Sequence, residues 1–375
     1  MNVLLILTYG ISLKIWEETG LLNREVTLYE RLVNDNNIKF TFLTFGDEED
    51  LKYKNKYKNI DIFPIYSKYK YHKNKLLRFF YSFVICFKIK NDFKNIEIIK
   101  TNQLMGSWMA IILKQLIGCP LLIRTGFNIL EFSIRNRKGL HKIIFYYFLT
   151  QISINFSNYF LVTSNADRQF INKYFIRTKK KVLVRQNWVI NQNNSKPFNQ
   201  REDNKILAVG RLENQKNFKY LINELKGTNI SLDIVGDGSL KNELELLAKN
   251  LEVKVNFIDP MPNNQLIQFM SNYKIFVLPS LFEGNPKALS EAMSQGCVPF
   301  VSNIKNNKEL VVDKENGLIF KCEKNNLKNL LTNSIKNTYL LEKLSKKSID
   351  HMRDNFSLDN YLLQEFEDYK LLLVS

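Results

Sequence analysis

The second half of the chain repeats one pattern: a short apolar run, a loop, then an amphipathic stretch. Residues 206–209, 231–235, 254–258, 275–278 and 298–301 read as buried strands. Residues 217–225, 240–251, 264–272 and 288–295, lying between them, read as helices. Parallel neighbours need a long crossover, and helices of this length supply it. The repeat therefore predicts a parallel sheet covered on both faces. The first half carries the pattern less regularly. Its apolar runs at 1–8 (turning at Gly10), 39–45, 96–100, 121–124, 159–163 and 181–186 read as strands, and 24–32 as a helix. An Asn-rich stretch at 191–204, with Pro197 inside it, reads as a linker. The expected fold is α/β: two Rossmann-like domains, 1–190 and 205–355, with parallel sheets facing a central cleft. In open α/β sheets ligands bind outside the carboxyl ends of the strands, so the loops there are where chemistry is sought.

Charge separates the halves. Residues 51–200 carry 27 basic against 5 acidic side chains, whereas 201–375 carry 23 of each. The even balance of the second half, which is as Lys-rich as the first, argues against codon bias alone. A segment so basic points to a polyanion or an anionic membrane surface. A nucleic-acid partner would leave the neutral half unexplained, and no binding motif accompanies the charge, so none is expected. The four Cys (Cys86, Cys119, Cys297, Cys322) form no CxxC, which suits a reducing cytosol. The three His (His72, His141, His351) are not paired at helical spacing, so no metal site is expected. The start lacks a basic region before its apolar run and does not read as a signal peptide. The long uncharged run 143–166 contains Gln151, Asn155 and Asn158 and reads as a helix then a strand rather than a membrane span. Residues 76–88, aromatic and flanked by Lys, fit either a membrane interface or a buried helix, with the core as the expectation.

Three loops in the second half carry the chemistry. After the 206–209 strand, Gly210 permits a tight turn, and Arg211 and Lys216 then share a loop leading into a helix. A guanidinium fork plus a mobile ammonium at a helix start can clamp a diphosphate. Gly236-Asp237-Gly238 lets backbone approach a ligand. Residues 279–296 form the most informative segment. A strand ends at Pro279-Ser280, a glycine-bearing loop follows, and a helix begins near Pro286 and stops at Gly296. Glu283 precedes that helix and Glu291 lies within it, while Gly284 and Asn285 stand at its positive end. Amides for phosphate and carboxylates for hydroxyls suit a nucleotide sugar.

These residues resemble the retaining glycosyltransferases of family 4, which have the GT-B fold and serve bacterial surface polysaccharide or lipopolysaccharide synthesis. The likeness rests on Gly-Arg-Leu…Lys-Asn (210–217), Val-Gly-Asp-Gly (235–238), the paired Glu283 and Glu291, and Asn-Gly-Leu-Ile-Phe (316–320). It implies a UDP- or GDP-sugar as donor substrate, with no cofactor and no essential metal. Arg211 and Lys216 would hold the diphosphate and Glu283 the donor sugar, as the catalytic group. Gly210, Gly284, Asn285 and Pro286 would line the donor, Glu291 would hold the ribose, and Met261 would contact the base. On the acceptor side the likeness is looser and runs through Gly20, Arg24, Arg124, Gly126 and Asn128; Lys100–Gln103 and Arg124–Asn128 end strands expected to face the cleft, and Asn187-Trp188-Val189 match the usual tail of this domain. Relatives place a His near Thr125-Gly126, where this chain has none, which favours a mechanism without a protein base. The resemblance also implies a final helix at 356–375 crossing back to the first domain, and a glycan or lipid-linked saccharide acceptor. A cytoplasmic enzyme peripheral on the inner face of the cell membrane follows. A GT-B sugar-nucleotide epimerase and an inactive membrane adaptor on this fold stand as alternatives.

Overall fold

The computed structural model describes every residue except 58, 179–180, 191–195 and 375. The chain divides into two units, Met1–Arg185 with Tyr361–Ser375, and Gln186–Asn360. The first holds β1 (Asn2–Ile6), β2 (Lys39–Thr44), β3 (Ile60–Pro64), β4 (Ile98–Thr101), β5 (Leu121–Arg124), β6 (Tyr159–Val162) and β7 (Val182–Val184). The second holds β8 (Glu202–Val209), β9 (Ser231–Val235), β10 (Val255–Ile258), β11 (Tyr273–Leu278), β12 (Val298–Ser302) and β13 (Leu318–Phe320). The sheets run β3-β2-β1-β4-β5-β6-β7 and β10-β9-β8-β11-β12-β13, with parallel pairing throughout both. Strand order reverses between β1 and β4 and between β8 and β11, the two places where such sheets bind ligands.

Alternation along the strands explains why both faces are covered. Ile206 and Ala208 join one core with Ile234, Ile275 and Val277. Leu207 and Val209 join another, on the opposite face, with Phe276, Leu278 and Met293. Two strands escaped the sequence reading. β3 is an edge strand whose Asp61 is exposed between buried Ile60 and Ile62, so no continuous apolar run marks it. β13 has only three residues. Of the 191–204 linker, 191–195 lie outside the described residues, and Glu202 already pairs with Tyr273 in β8. Gln186–Ile190, expected in the first domain, belongs to the second unit, where Val189 bridges Ser357 and Trp188 is buried.

The last helix, Leu358–Val374, carries its C-terminal part into the first unit. Glu365 forms a fully buried ion pair with Lys100 at the end of β4, and the Tyr369 hydroxyl donates to the same carboxylate. The Lys100 ammonium also lies 5.2 Å from the Tyr29 ring and 5.9 Å from that of Tyr369. Arg185 grips Asp368 through two bonds of 2.6 and 2.8 Å. Burial pushes the Lys100 pKa below its ordinary value despite the pull of Glu365. Lys100 is therefore a structural cation, not the ligand-facing residue its place in the sequence motif implied. Removing its partner leaves a buried charge uncompensated. Glu365→Ala is expected to destabilise the first unit by about 3–5 kcal/mol. Urea unfolding followed by the fluorescence of Trp16 and Trp108 checks this, and an unchanged midpoint contradicts it.

Candidate functional site

The site forms where β8, β9 and β11 end in the second unit. Gly210 follows β8 and Gly236 follows β9. Their loops meet backbone to backbone: the Gly210 N–H donates to the Val235 carbonyl at 3.0 Å, and the Leu212 N–H to that of Asp237 at 2.9 Å. A Cβ on Gly236 would stand 2.0 Å from the Gly210 oxygen, and one on Gly238 2.6 Å from the Leu212 oxygen. Both glycines are thus required by close approach. A Cβ on Gly210 would press on the Lys216 side chain at 2.9 Å, so Gly210 also clears the path of that lysine.

Lys216 reaches across to the loop after β11. Its Nζ lies 2.5 Å from Glu283 Oε1, with both side chains largely buried. The same Oε1 accepts from Ser280 Oγ at 2.6 Å. Gln215 Nε2 donates to the Phe282 carbonyl at 2.9 Å and approaches Glu283 Oε2 at 3.4 Å, and the Leu281 N–H donates to the Gln215 carbonyl. Two loops far apart in sequence are thereby stitched into one surface. Arg211 is exposed on its edge.

The loop from Glu283 to Pro286 is buried and held from outside. Asn306 Nδ2 donates to the Gly284 carbonyl at 2.6 Å, and Asn187 Nδ2 to that of Asn285 at 3.0 Å. Pro286 is the N-cap of the helix Lys287–Ser294, and Gly296 just beyond its end has φ +78. Glu291, buried on that helix, accepts from Asn263 Nδ2 at 3.0 Å. Asn263 opens the helix after Met261, which is half-buried against the same core. The structure therefore joins Gly210, Lys216, Glu283, Gly284, Asn285 and Pro286 directly, and links Glu291 to the Met261 loop. Gln215, Ser280 and Asn306 were missed, and Asn187 was read only as part of the Asn187-Trp188-Val189 pattern. Gln215 and Ser280 sit inside the quoted motifs. Nothing in the sequence ties Asn187 or Asn306 to the loop they hold. Among the described residues no group of three His, Cys, Asp or Glu side chains is placed to hold a metal ion.

In the first unit the acceptor-side expectations scatter. Gly20, with φ +71, follows the helix Leu13–Glu18, which precedes the one expected as first. Arg24 is buried on the helix Leu22–Asn36. Arg124, fully buried, is opposed by desolvation. Tyr361, Glu25, Tyr29 and Glu365 around it nonetheless hold its pKa above the ordinary value, which marks it as part of the Lys100–Glu365 cluster. The Gly126 N–H donates to Gln103 Oε1 at 2.6 Å, and Asn128 caps the helix Ile129–Arg135 by accepting from the Glu131 N–H. His141 is exposed on the helix Leu140–Phe156.

Residues 190–351 match the family model described as glycosyl transferases group 1. The chain is 37% identical over 164 residues to an uncharacterized glycosyltransferase of Haemophilus influenzae, covering 39% of this chain and 44% of that one. It is 28% identical over 244 residues to the Escherichia coli UDP-Gal:alpha-D-GlcNAc-diphosphoundecaprenol alpha-1,3-galactosyltransferase, covering 60% and 62%. The chain thus spans less than two thirds of the length of either curated relative. The crystal structure of Anabaena HepE in complex with UDP and glucose superposes with a TM-score of 0.75 at 15% identity, covering 99% of both chains. The match to the group 1 model thus falls within the second unit, and the fold of the chain is GT-B, as the motifs implied. The contact between the glycine loops generates a prediction. Gly236→Ala must displace the 210–217 loop, at a cost of about 1–3 kcal/mol. A lower melting temperature than wild type checks this, and an unaltered one would show that the loops do not meet.

Proposed function

We propose that the chain is a retaining glycosyltransferase that moves a sugar from a UDP- or GDP-sugar to a lipid-linked or polysaccharide acceptor in bacterial cell-surface glycan synthesis. The observation that carries the reading is the Lys216–Glu283 pair beside two glycine loops at the carboxyl ends of β8, β9 and β11. A nucleoside diphosphate laid over the loops of Gly210 and Gly236 meets their backbone and the Lys216 side chain that lies against Gly210. The Lys216 ammonium and the exposed Arg211 guanidinium are then positioned to take its charge. Glu283, already oriented by Ser280 and Gln215, is left to accept hydrogen bonds from the sugar hydroxyls. Glu291, held by Asn263, takes the ribose, and Met261 lies toward the base.

The bond from the anomeric carbon to the diphosphate breaks as the acceptor oxygen attacks the same face. The acceptor proton passes to the leaving phosphate oxygen, so no protein base is needed and the anomeric configuration is kept. Lys216 and Arg211 stabilise the negative charge that builds on the leaving group, an effect present mainly in the transition state. No cofactor and no metal ion is invoked. On the acceptor side Gly20 and Gly126 remain as candidates, since Arg24, Arg124 and Asn128 are buried. The named acceptor of the Escherichia coli relative is a diphosphoundecaprenol lipid. Among the described residues no helix is long and apolar enough to cross a membrane. The lipid-linked acceptor of that relative supports peripheral work at the inner face of the cell membrane, where each basic residue of 51–200 near an anionic surface adds about 1 kcal/mol.

Turnover tests the chemistry. Lys216→Ala is expected to lower kcat about 10²–10³-fold with a smaller change in KM, measured as release of nucleotide diphosphate from a panel of UDP- and GDP-sugars with diphosphoundecaprenol-linked saccharides. Product NMR is expected to show the donor's anomeric configuration retained. Inversion, or full activity in Lys216→Ala, contradicts the proposal.

A further inference from the structure

Two helices of the first unit present an apolar outer face that the core does not use. In the helix Lys75–Ile89, Ser82, Ile85, Cys86 and Ile89 point inward. Leu77, Phe80, Val84 and Phe87 are exposed, Phe80 by 59%. This corrects the expectation that 76–88 is a core helix. In the helix Leu140–Phe156, Ile144, Phe148, Ile152 and Phe156 recur every fourth residue and are likewise exposed, Phe148 by 58%. A helix apolar on both sides is not built to be solvated on one of them. The Phe79 and Phe145 rings, 6.3 Å apart, join the two helices, so their outer faces adjoin. Exposed apolar area of this extent marks a docking surface.

Charge selects the occupant. Neither helix contains an Asp or Glu. Exposed Lys73, Lys75 and Lys88 bracket the first, and Lys138 and Lys142 the start of the second. A second copy of the same face would oppose lysine to lysine, whereas an anionic bilayer offers acyl chains to the aromatic stripe and phosphates to its rim. We propose that the helices Lys75–Ile89 and Leu140–Phe156 insert their aromatic face into the interface of an anionic bilayer and lie in the headgroup plane. The inference rests on the membrane reading above but assigns the hold to buried apolar surface, not to charge alone. It does not depend on the donor chemistry.

Co-sedimentation with phosphatidylglycerol–phosphatidylethanolamine vesicles tests it, run at low salt and at about 0.5 M NaCl, where screening shortens to roughly 4 Å. Wild type is expected to stay bound at high salt. The double variant Phe80→Ser/Phe148→Ser changes only exposed side chains. It is expected to need about tenfold more lipid for half-binding while its circular dichroism and melting temperature stay as in wild type. Binding that vanishes at high salt and ignores the two substitutions would overturn this inference and leave the charge-based one standing. No binding of wild type to any vesicle would overturn both. A dimer in size-exclusion chromatography that the double variant dissolves would assign the face to a second copy and overturn the proposal.

Discussion

The Lys216–Glu283 pair is the contact on which the site depends. It bridges the loop after β8 and the loop after β11, the two strands that flank the reversal of strand order in the second sheet. Each charge alone would be costly in so enclosed a place. Together, with Ser280 and Gln215 completing the hydrogen bonds of the carboxylate, they hold two loops in register. The glycines are the other half of the same device. Gly236 and Gly238 let the neighbouring loop come within backbone contact, and Gly210 leaves room for the lysine to extend. What remains open at the strand ends is backbone and a few convergent polar groups, suited to a ligand that is itself mostly phosphate and hydroxyl.

Much of this was legible in the residues because the chemistry is local. A strand, a glycine and a basic loop are consecutive at 206–216. Glu283 and Glu291 flank a helix start marked by Pro286. Residues 206–209 of β8, 275–278 of β11 and 298–301 of β12 are buried on both faces and so appear as continuous apolar runs. What stayed hidden is long-range. Asn187 and Asn306 hold the carbonyls of Asn285 and Gly284 from 98 and 22 residues away, and an asparagine in a polar stretch carries no sign of that. Arg124 and Lys100 were misjudged for a related reason. A cation at a strand end looks like a ligand group until the acids beside it arrive from elsewhere in the chain, Glu25 on the helix Leu22–Asn36 and Glu365 on the last helix.

The first unit divides its charged and apolar residues in an unusual way. Its buried interior holds a cluster of Lys100, Arg124, Glu25 and Glu365 with the hydroxyls of Tyr29, Tyr361 and Tyr369 beside them. Its surface carries phenylalanines. The helix Lys75–Ile89 was ambiguous in sequence because an apolar helix bracketed by lysines satisfies both a core and a bilayer. Only the placement of Ser82 and Cys86 inward and Phe80 and Phe87 outward separates the two.

The most direct test of the account is whether the second unit binds a nucleotide where Glu291 lies. Calorimetric titration of the whole chain with UDP and GDP, in chelator, should show saturable binding of one of them. The Glu291→Gln variant, which keeps the side-chain shape, should bind it about tenfold more weakly or worse. Failure of well-folded protein to bind either nucleotide, or equal affinity in the variant, would contradict the assignment.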